Sequence, residues 1–289
     1  MKVFSLFSLL LLLSSNQLLA QCCDTKTAHC EFQKLADNSS FAAEHDEPEE
    51  ITYEAKGEWI AIPSTGKDAR AYQVKQDSSN KWIFVFHEWW GLNEYVQREA
   101  DKYAREFKVN VLALDLYDSK LADNREDAAK YMKAAKEERI RAIIQAGLDY
   151  TEEDAIATIG WCFGGGWSLQ ASMMAKQKSK ACVIYYGMPE KDLVKLNAIT
   201  APVLGIWAKQ DGWINEEVVQ GFGNKMQKLN KEFQSETYEA AHAFANPSNR
   251  KFNKEASAEA YGHVTRLLVS QLLGVRTGSS KIKIESPKW

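Results

Sequence analysis

The sequence predicts an α/β protein, with a mostly parallel central sheet covered by helices on both faces. Residues 82–86, 109–116 and 181–186 are near-continuous apolar runs, and strands without polar alternation are strands buried on both sides. Between such runs lie stretches with helical spacing: Leu92, Val96, Ala100, Tyr103, Ala104 and Phe107 recur three and four apart, one face of a helix. A third sign is the strand-like run 155–161, which passes through a glycine-rich turn straight into a helix-like run, 164–178, the unit from which layered α/β sheets are assembled. Composition agrees. Of 289 residues 45% are hydrophobic and 26% charged, the makeup of a folded protein and not of a disordered, collagenous or coiled-coil chain. Lys and Arg total 36 against 39 Asp and Glu, for a net charge of -3. With no basic stripe, nucleic-acid binding is excluded as a function class.

In chain order, Lys2 precedes an apolar run over residues 3–13 and a small-residue stretch ending at Ala20, the pattern of a secretory signal peptide over residues 1–20. The run is too short to span a bilayer, which takes roughly 20 apolar residues, and no membrane-length segment follows. The mature chain is therefore expected to start near Gln21, without a membrane span, in the periplasm or secreted. Lipid attachment at Cys22 would want a small residue where Gln21 stands. Residues 21–50 read as a Cys-containing acidic linker, with Asp46, Glu47, Glu49 and Glu50 solvated. Its Cys22, Cys23 and Cys30 suit a local disulfide; Cys22, Cys30 and His29 lack a standard zinc spacing.

Residues 51–275 read as one domain and 276–289 as a tail. Residues 51–62 and 71–75 are expected to form an antiparallel pair, followed by strands over 82–86, 109–116, 155–161, 181–186, 199–208 and 235–240. Helices are expected over 92–106, 124–150 in one or two pieces, 164–178, 215–229 and 256–273. Cys162 ends one strand and Cys182 begins its neighbour, about 16 Å away at 3.3 Å per residue, too far for a disulfide. In such a sheet the site belongs at the strand tips.

One tip carries Gly160-Trp161-Cys162-Phe163-Gly164-Gly165-Gly166, the G-x-S-x-G elbow with cysteine in place of serine. The turn would lift Cys162 above the sheet at a helix N-terminus, which favours thiolate, and aim the Phe163 N–H into the same space as an oxyanion donor. The bland reading of Cys162 is a small buried hydrophobe. In the chain order nucleophile, acid, histidine, two histidines follow Cys162. His242 comes just past a strand, whereas His263 lies inside the last helix as a surface residue. Asp211, after the strand ending near 208, is the acid that would orient His242; Asp115 comes too early and reads as a turn residue. After the strand ending at Phe86, Glu88 would face the nucleophile, and Trp89 would supply the second oxyanion N–H. His87 reads as structural.

His87-Glu88-Trp89-Trp90-Gly91-Leu92-Asn93, Asp115-Leu116-Tyr117, the cysteine elbow, Tyr185-Tyr186-Gly187, Gln210-Asp211 and His242-Ala243-Phe244, in this order, resemble the dienelactone hydrolase family over roughly residues 70–270. The resemblance implies an α/β-hydrolase fold without a large cap domain. It also implies a Cys162, His242, Asp211 triad with Glu88 beside the thiol, and the Trp89 and Phe163 N–H groups as oxyanion donors. The expected substrate is a small-molecule ester or lactone, cleaved through a thioester acyl-enzyme without metal or organic cofactor. Two arginines that hold a substrate carboxylate in the family are replaced by Ser119 and Asn246, with Lys120 and Arg250 nearby, so a neutral ester or lactone is expected to fit better. Trp90, Tyr117, Trp161, Tyr185, Trp213 and Phe244 are the expected pocket, while Trp167 and Trp207 belong to the core. A non-hydrolytic thiol sensor or ligand-binding protein on the same fold is the alternative, and a serine-like esterase or peptidase a third. Oligomeric state is not legible.

Overall fold

The computed structural model describes residues 27–152 and 154–275. The signal-peptide reading of residues 1–20, Cys22, Cys23 and the tail 276–289 fall outside the described residues. Eight strands form one sheet: β1 (Glu58–Ile62), β2 (Ala69–Val74), β3 (Lys81–Phe86), β4 (Asn110–Leu114), β5 (Ala155–Trp161), β6 (Ser179–Tyr185), β7 (Val203–Ala208) and β8 (Phe233–Tyr238). Their spatial order is β1-β2-β4-β3-β5-β6-β7-β8. β1 pairs antiparallel with β2 and β2 antiparallel with β4, and every pairing from β4 to β8 is parallel. All residues of β4 and β7 are buried whichever way they point, so both faces are covered, as the unbroken apolar runs predict.

The expected helices form with small shifts of their ends: α3 (Glu94–Phe107), α6 (Phe163–Ala175), α8 (Glu216–Lys228) and α9 (Lys254–Leu267). The stretch 124–150 divides into α4 (Arg125–Ala134) and α5 (Glu137–Tyr150), and a short α7 (Leu193–Leu196) was not expected. Asn93, Asn124, Asn215 and Asn253 cap α3, α4, α8 and α9, each accepting from the backbone N–H three residues on, which satisfies an otherwise unpaired donor. Among the described residues no helix is long and apolar enough to cross a membrane.

The acidic segment departs from the expectation of a solvated linker. It folds as α1 (Ala28–Leu35) and α2 (Ser39–Ala43) and lies against the domain. The His29 ring bonds the Ala135 carbonyl at 3.0 Å, and Thr27 Oγ1 donates to Glu137 at 3.1 Å. Phe32 is 3% exposed and Phe41 0%. Of the acidic side chains expected in water, Glu47, Glu49 and Glu50 are exposed, whereas Asp46 pairs with Arg125 at 3.4 Å; the neighbouring Glu44 pairs with Lys251 at 2.5 Å. Burial of two phenylalanines decides the matter, since a fully buried Phe contributes roughly 1.5–3 kcal/mol, more than exposed acidic residues gain by staying solvated. Cys30 is disulfide-bonded, whereas Cys162 and Cys182 are free thiols, in keeping with the spacing that forbids a bridge between them.

Candidate active site

The site grows out of the C-terminal tips of the parallel strands. β5 ends at Trp161 and α6 begins at Phe163, leaving Cys162 alone to make the turn at φ 52°, ψ -116°. A non-glycine residue there stores on the order of 1–3 kcal/mol of strain, and the neighbours hold it in place. The Cys162 N–H donates to the Tyr185 carbonyl at 2.9 Å, tying the elbow to the tip of β6. Gly164 lets α6 pass over β3: a Cβ there would overlap the Phe86 and His87 carbonyl oxygens. Gly164→Ala is therefore expected to cost about 3 kcal/mol or more, because backbone must move to admit it. Thermal unfolding of the variant checks this, and an unchanged Tm would refute the close approach.

His242 and Asp211 arrive from the loops after β8 and β7. His242 Nε2 lies 3.3 Å from Cys162 Sγ, and its Nδ1 lies 2.5 Å from Asp211 Oδ2. Asp211 is itself held by the N–H groups of Trp213 and Ile214, both at 2.9 Å. All three residues are buried: Cys162 and His242 are 0% exposed and Asp211 3%. Burial alone would depress the His242 pKa, but the Asp211 carboxylate and the Cys162 sulfur outweigh it and hold it well above the ordinary value. His242 is thereby a strong acceptor for the thiol proton. Burial pushes the Cys162 thiol up, against the pull of His242 and of the Phe163 N–H aimed at it. The thiolate expected from the helix N-terminus is thus opposed by dehydration as long as the sulfur is covered.

Glu88 reaches the site but binds elsewhere than expected. Its carboxylate accepts from the Tyr186 hydroxyl at 3.2 Å and from Asn246 Nδ2 at 2.7 Å, not from the thiol. Burial pushes its pKa up to about 6, against the pull of Asn246 and His242. Trp89 follows it in the same loop with a fully buried ring. His87 is structural, as read: Nδ1–H donates to the Glu88 carbonyl at 2.6 Å and Nε2 accepts the Leu116 N–H at 3.0 Å. Asp115 is a turn residue, accepting from the Tyr117 and Ser119 N–H groups at 3.0 and 2.6 Å. His263 lies beside Glu236 at 3.2 Å, away from the cysteine.

A cleft opens beside Glu88 and is lined by Trp90, Trp161 and Tyr185, as expected, and by Tyr103, Tyr261 and Asn246. Three expected pocket residues do not line it. Phe244 is 0% exposed and packs behind the site on Tyr186 and Tyr238. Tyr117 faces a neighbouring cleft with Lys120 and Arg139. Trp213 lies edge-on to Phe41. These side chains flank the site in sequence, but the chain leaves each tip at a different angle, which spacing alone does not show. Lys102 lines the cavity too, paired with Glu99 at 3.2 Å.

Sequence reasoning missed His45. Phe41 sits between Trp89 (5.7 Å), Trp213 (5.2 Å) and His242 (5.5 Å). Two residues past the end of α2, the His45 ring lies tilted against Trp89, 4.4 Å between centroids, and puts Nε2 3.5 Å from Cys162 Sγ. Its Nδ1–H donates to the Phe41 carbonyl at 2.9 Å. Burial and the nearby His242 hold its pKa well below the ordinary value, so the ring is neutral. The cover is pinned at its end: Arg125 Nε donates to the His45 carbonyl at 2.6 Å, and Asn249 Nδ2 to the Glu44 carbonyl at 2.9 Å. The available signal was Phe32, Leu35 and Phe41 recurring inside a charged stretch, the apolar side of short helices.

Known proteins agree with this architecture. The family model described as "Dienelactone hydrolase family" matches residues 68–272. The protein usf of Aquifex pyrophilus is 29% identical over 203 residues, 66% of this chain and 87% of that one. Carboxymethylenebutenolidase 1 of Cupriavidus pinatubonensis is 28% identical over 118 residues, 39% of this chain and 47% of that one. Among solved structures, a dienelactone hydrolase-like promiscuous phosphotriesterase from metagenomic libraries superposes with a TM-score of 0.67 at 18% identity, over 75% of this chain and 99% of that one. At that identity the superposition speaks for the fold, whereas the family match runs through every strand from β3 to β8 and all the tips that bear the site. The chain therefore belongs to the dienelactone hydrolase family and is an ester or lactone hydrolase with the α/β-hydrolase fold.

Proposed function

We propose that the protein cleaves a small neutral ester or lactone through a thioester on Cys162. The observation that carries this is the continuous relay from Asp211 through His242 to the sulfur at the strained elbow. His242 takes the thiol proton, the sulfur attacks the carbonyl carbon, and the Phe163 and Trp89 N–H groups steady the oxyanion. The alkoxide leaves with the proton from His242, and water activated by His242 releases the acid and restores the thiol. Glu88 stands at the cavity wall, where its carboxyl can hold the incoming ester or exchange a proton. Intact-mass analysis during turnover of a p-nitrophenyl ester tests the route. One acyl group on Cys162 is expected, and turnover without any acyl-cysteine would defeat it.

Cys162 is 0% exposed, so residues 38–46 must lift away before a carbonyl can reach it. The neutral substrate class follows from the cavity charge. Asn246 already donates to Glu88, the Ser119 N–H is taken by Asp115, and Lys102 is engaged with Glu99. A substrate carboxylate would meet Glu88 and Glu99 without a guanidinium partner, and each charge-assisted hydrogen bond lost costs about 1.5–3 kcal/mol. A neutral methyl ester is expected to exceed its free-acid counterpart by roughly 30- to 1,000-fold in kcat/KM. Steady-state kinetics on the matched pair decide it, and preference for the acid would overturn the neutral class. The place of action is outside the cytoplasm on this reading. The leader-like residues 1–20 and the disulfide-bonded Cys30 both suit an oxidising compartment.

A further inference from the structure

We propose that His45, Cys162 and His242 form a binding site for a thiophilic divalent cation of the Zn²⁺ type, which locks the cover over the cysteine. One ligand atom from each of the three residues lies within 4.8 Å of the other two, and all three residues are buried. Cys162 Sγ stands 3.5 Å from His45 Nε2 and 3.3 Å from His242 Nε2. Zn–S and Zn–N bonds of about 2.3 and 2.05 Å at a tetrahedral angle give an S···N edge of about 3.6 Å, which both sulfur–nitrogen distances match to a few tenths of an ångström, and an N···N edge of about 3.3 Å, towards which the two Nε2 atoms draw in as the ion binds.

The distances alone would also fit thiol hydrogen bonds; the tautomers separate the two cases. His45 spends its Nδ1–H on the Phe41 carbonyl, and His242 directs Nδ1 at Asp211. With His242 neutral, the form that the thioester route requires, both Nε2 lone pairs converge on one sulfur. A thiol has a single hydrogen and can serve one of them, leaving the other acceptor buried without a donor. A metal ion serves both. A ligating imidazole whose far nitrogen donates to a carboxylate or a backbone carbonyl is the arrangement that orients metal-binding histidines, and here one ring has each kind of support.

Charge favours the ion as well. A divalent cation offsets the Cys162 thiolate and the Asp211 carboxylate, two negative charges that a site closed off by Phe41 and Trp89 would otherwise hold away from water. Loading replaces the Cys162 S–H with S–metal and releases that proton to solvent; no oxidant or reductant takes part. Because His45 comes from the cover and the other two ligands from strand tips, the ion ties the segment shut. It also occupies the sulfur, so hydrolysis stops, a consequence that rests on the thioester route proposed above.

The test starts on the mature chain without substrate. Titration with Co²⁺ should give a near-ultraviolet thiolate-to-cobalt charge-transfer band saturating at one ion per chain, absent in Cys162→Ala and displaced by Zn²⁺. His45→Ala should bind Zn²⁺ at least about tenfold more weakly. Should that variant fail to fold, X-ray absorption of the zinc-loaded natural chain answers the same question, with one sulfur and two imidazoles expected in the shell. A band that survives in Cys162→Ala, an unchanged affinity in His45→Ala, or a shell without sulfur overturns the site. Zn²⁺ should then abolish ester hydrolysis reversibly, with a chelator restoring it. An inactive chain that shows the expected shell upholds the metal site and refutes the hydrolytic route, whereas an active enzyme indifferent to Co²⁺ and Zn²⁺ does the reverse.

Discussion

Cys162→Ala is expected to lower kcat/KM for a p-nitrophenyl ester by about 10⁴- to 10⁶-fold, equivalent to about 5–8 kcal/mol of transition-state stabilisation. No other group can take over the attack. Alanine keeps the small Cβ and the turn, but His242 Nε2 is then left facing a methyl group, and water would have to enter a space closed by Phe41 and Trp89. The oxyanion donors survive, so a residual rate above water is expected. Asp211→Asn should come close to the same loss, because an amide would offer its NH₂ as readily as its oxygen to Nδ1 and release the ring from its orientation. Cys162→Ser should recover little, since a hydroxyl is far harder to deprotonate than a thiol in the same burial. A variant keeping more than a tenth of the activity would move the nucleophile elsewhere. A natural chain that hydrolyses no ester but oxidises selectively at Cys162 would favour the thiol-sensor alternative.

Phe41→Ala is expected to raise the alkylation rate of Cys162 by about 100-fold or more. Phe41 is 0% exposed and wedged among Trp89, Trp213 and His242, and truncating so buried a ring costs about 3–5 kcal/mol. That loss falls on the docking of the cover and not on the sheet beneath, because α2 contributes no strand and no part of the elbow. The share of molecules with an open cover rises accordingly, up to the limit where the cover is open throughout. Cys182 is the internal reference: it is 0% exposed, burial pushes its pKa up to about 11, and its rate should not change. Iodoacetamide labelling followed by peptide mapping reads both thiols in one experiment. Equal Cys162 rates in the variant and the natural chain would mean that the segment is no barrier.

Much of this was legible before any coordinates. The parallel strands were written as unbroken apolar runs, since a strand covered on both faces has no polar side to reveal. The elbow was written in glycines, since only a missing side chain lets α6 pass against the carbonyls of Phe86 and His87. Given the chain order nucleophile, acid, histidine, Asp211 and His242 followed from the strand ends that they succeed. Glu88 could be placed at the site, although its partners could not: Tyr186 and Asn246 come from tips 98 and 158 residues away, and no local pattern records such a meeting.

The tertiary structure alone decided the fate of residues 28–46. Locally the segment is short and acidic, with helices too brief to stand by themselves, and a solvated linker is the sound reading of that composition. Its conformation is set by a slot that exists only once β3, β5, β7 and β8 have brought Trp89, Cys162, Trp213 and His242 together. Phe41 fills that slot and His45 reaches the sulfur across 117 positions of chain. Strand and turn preferences act between neighbours and can be read along the sequence; complementarity between a loop and a cleft assembled from four strand tips has no one-dimensional signature.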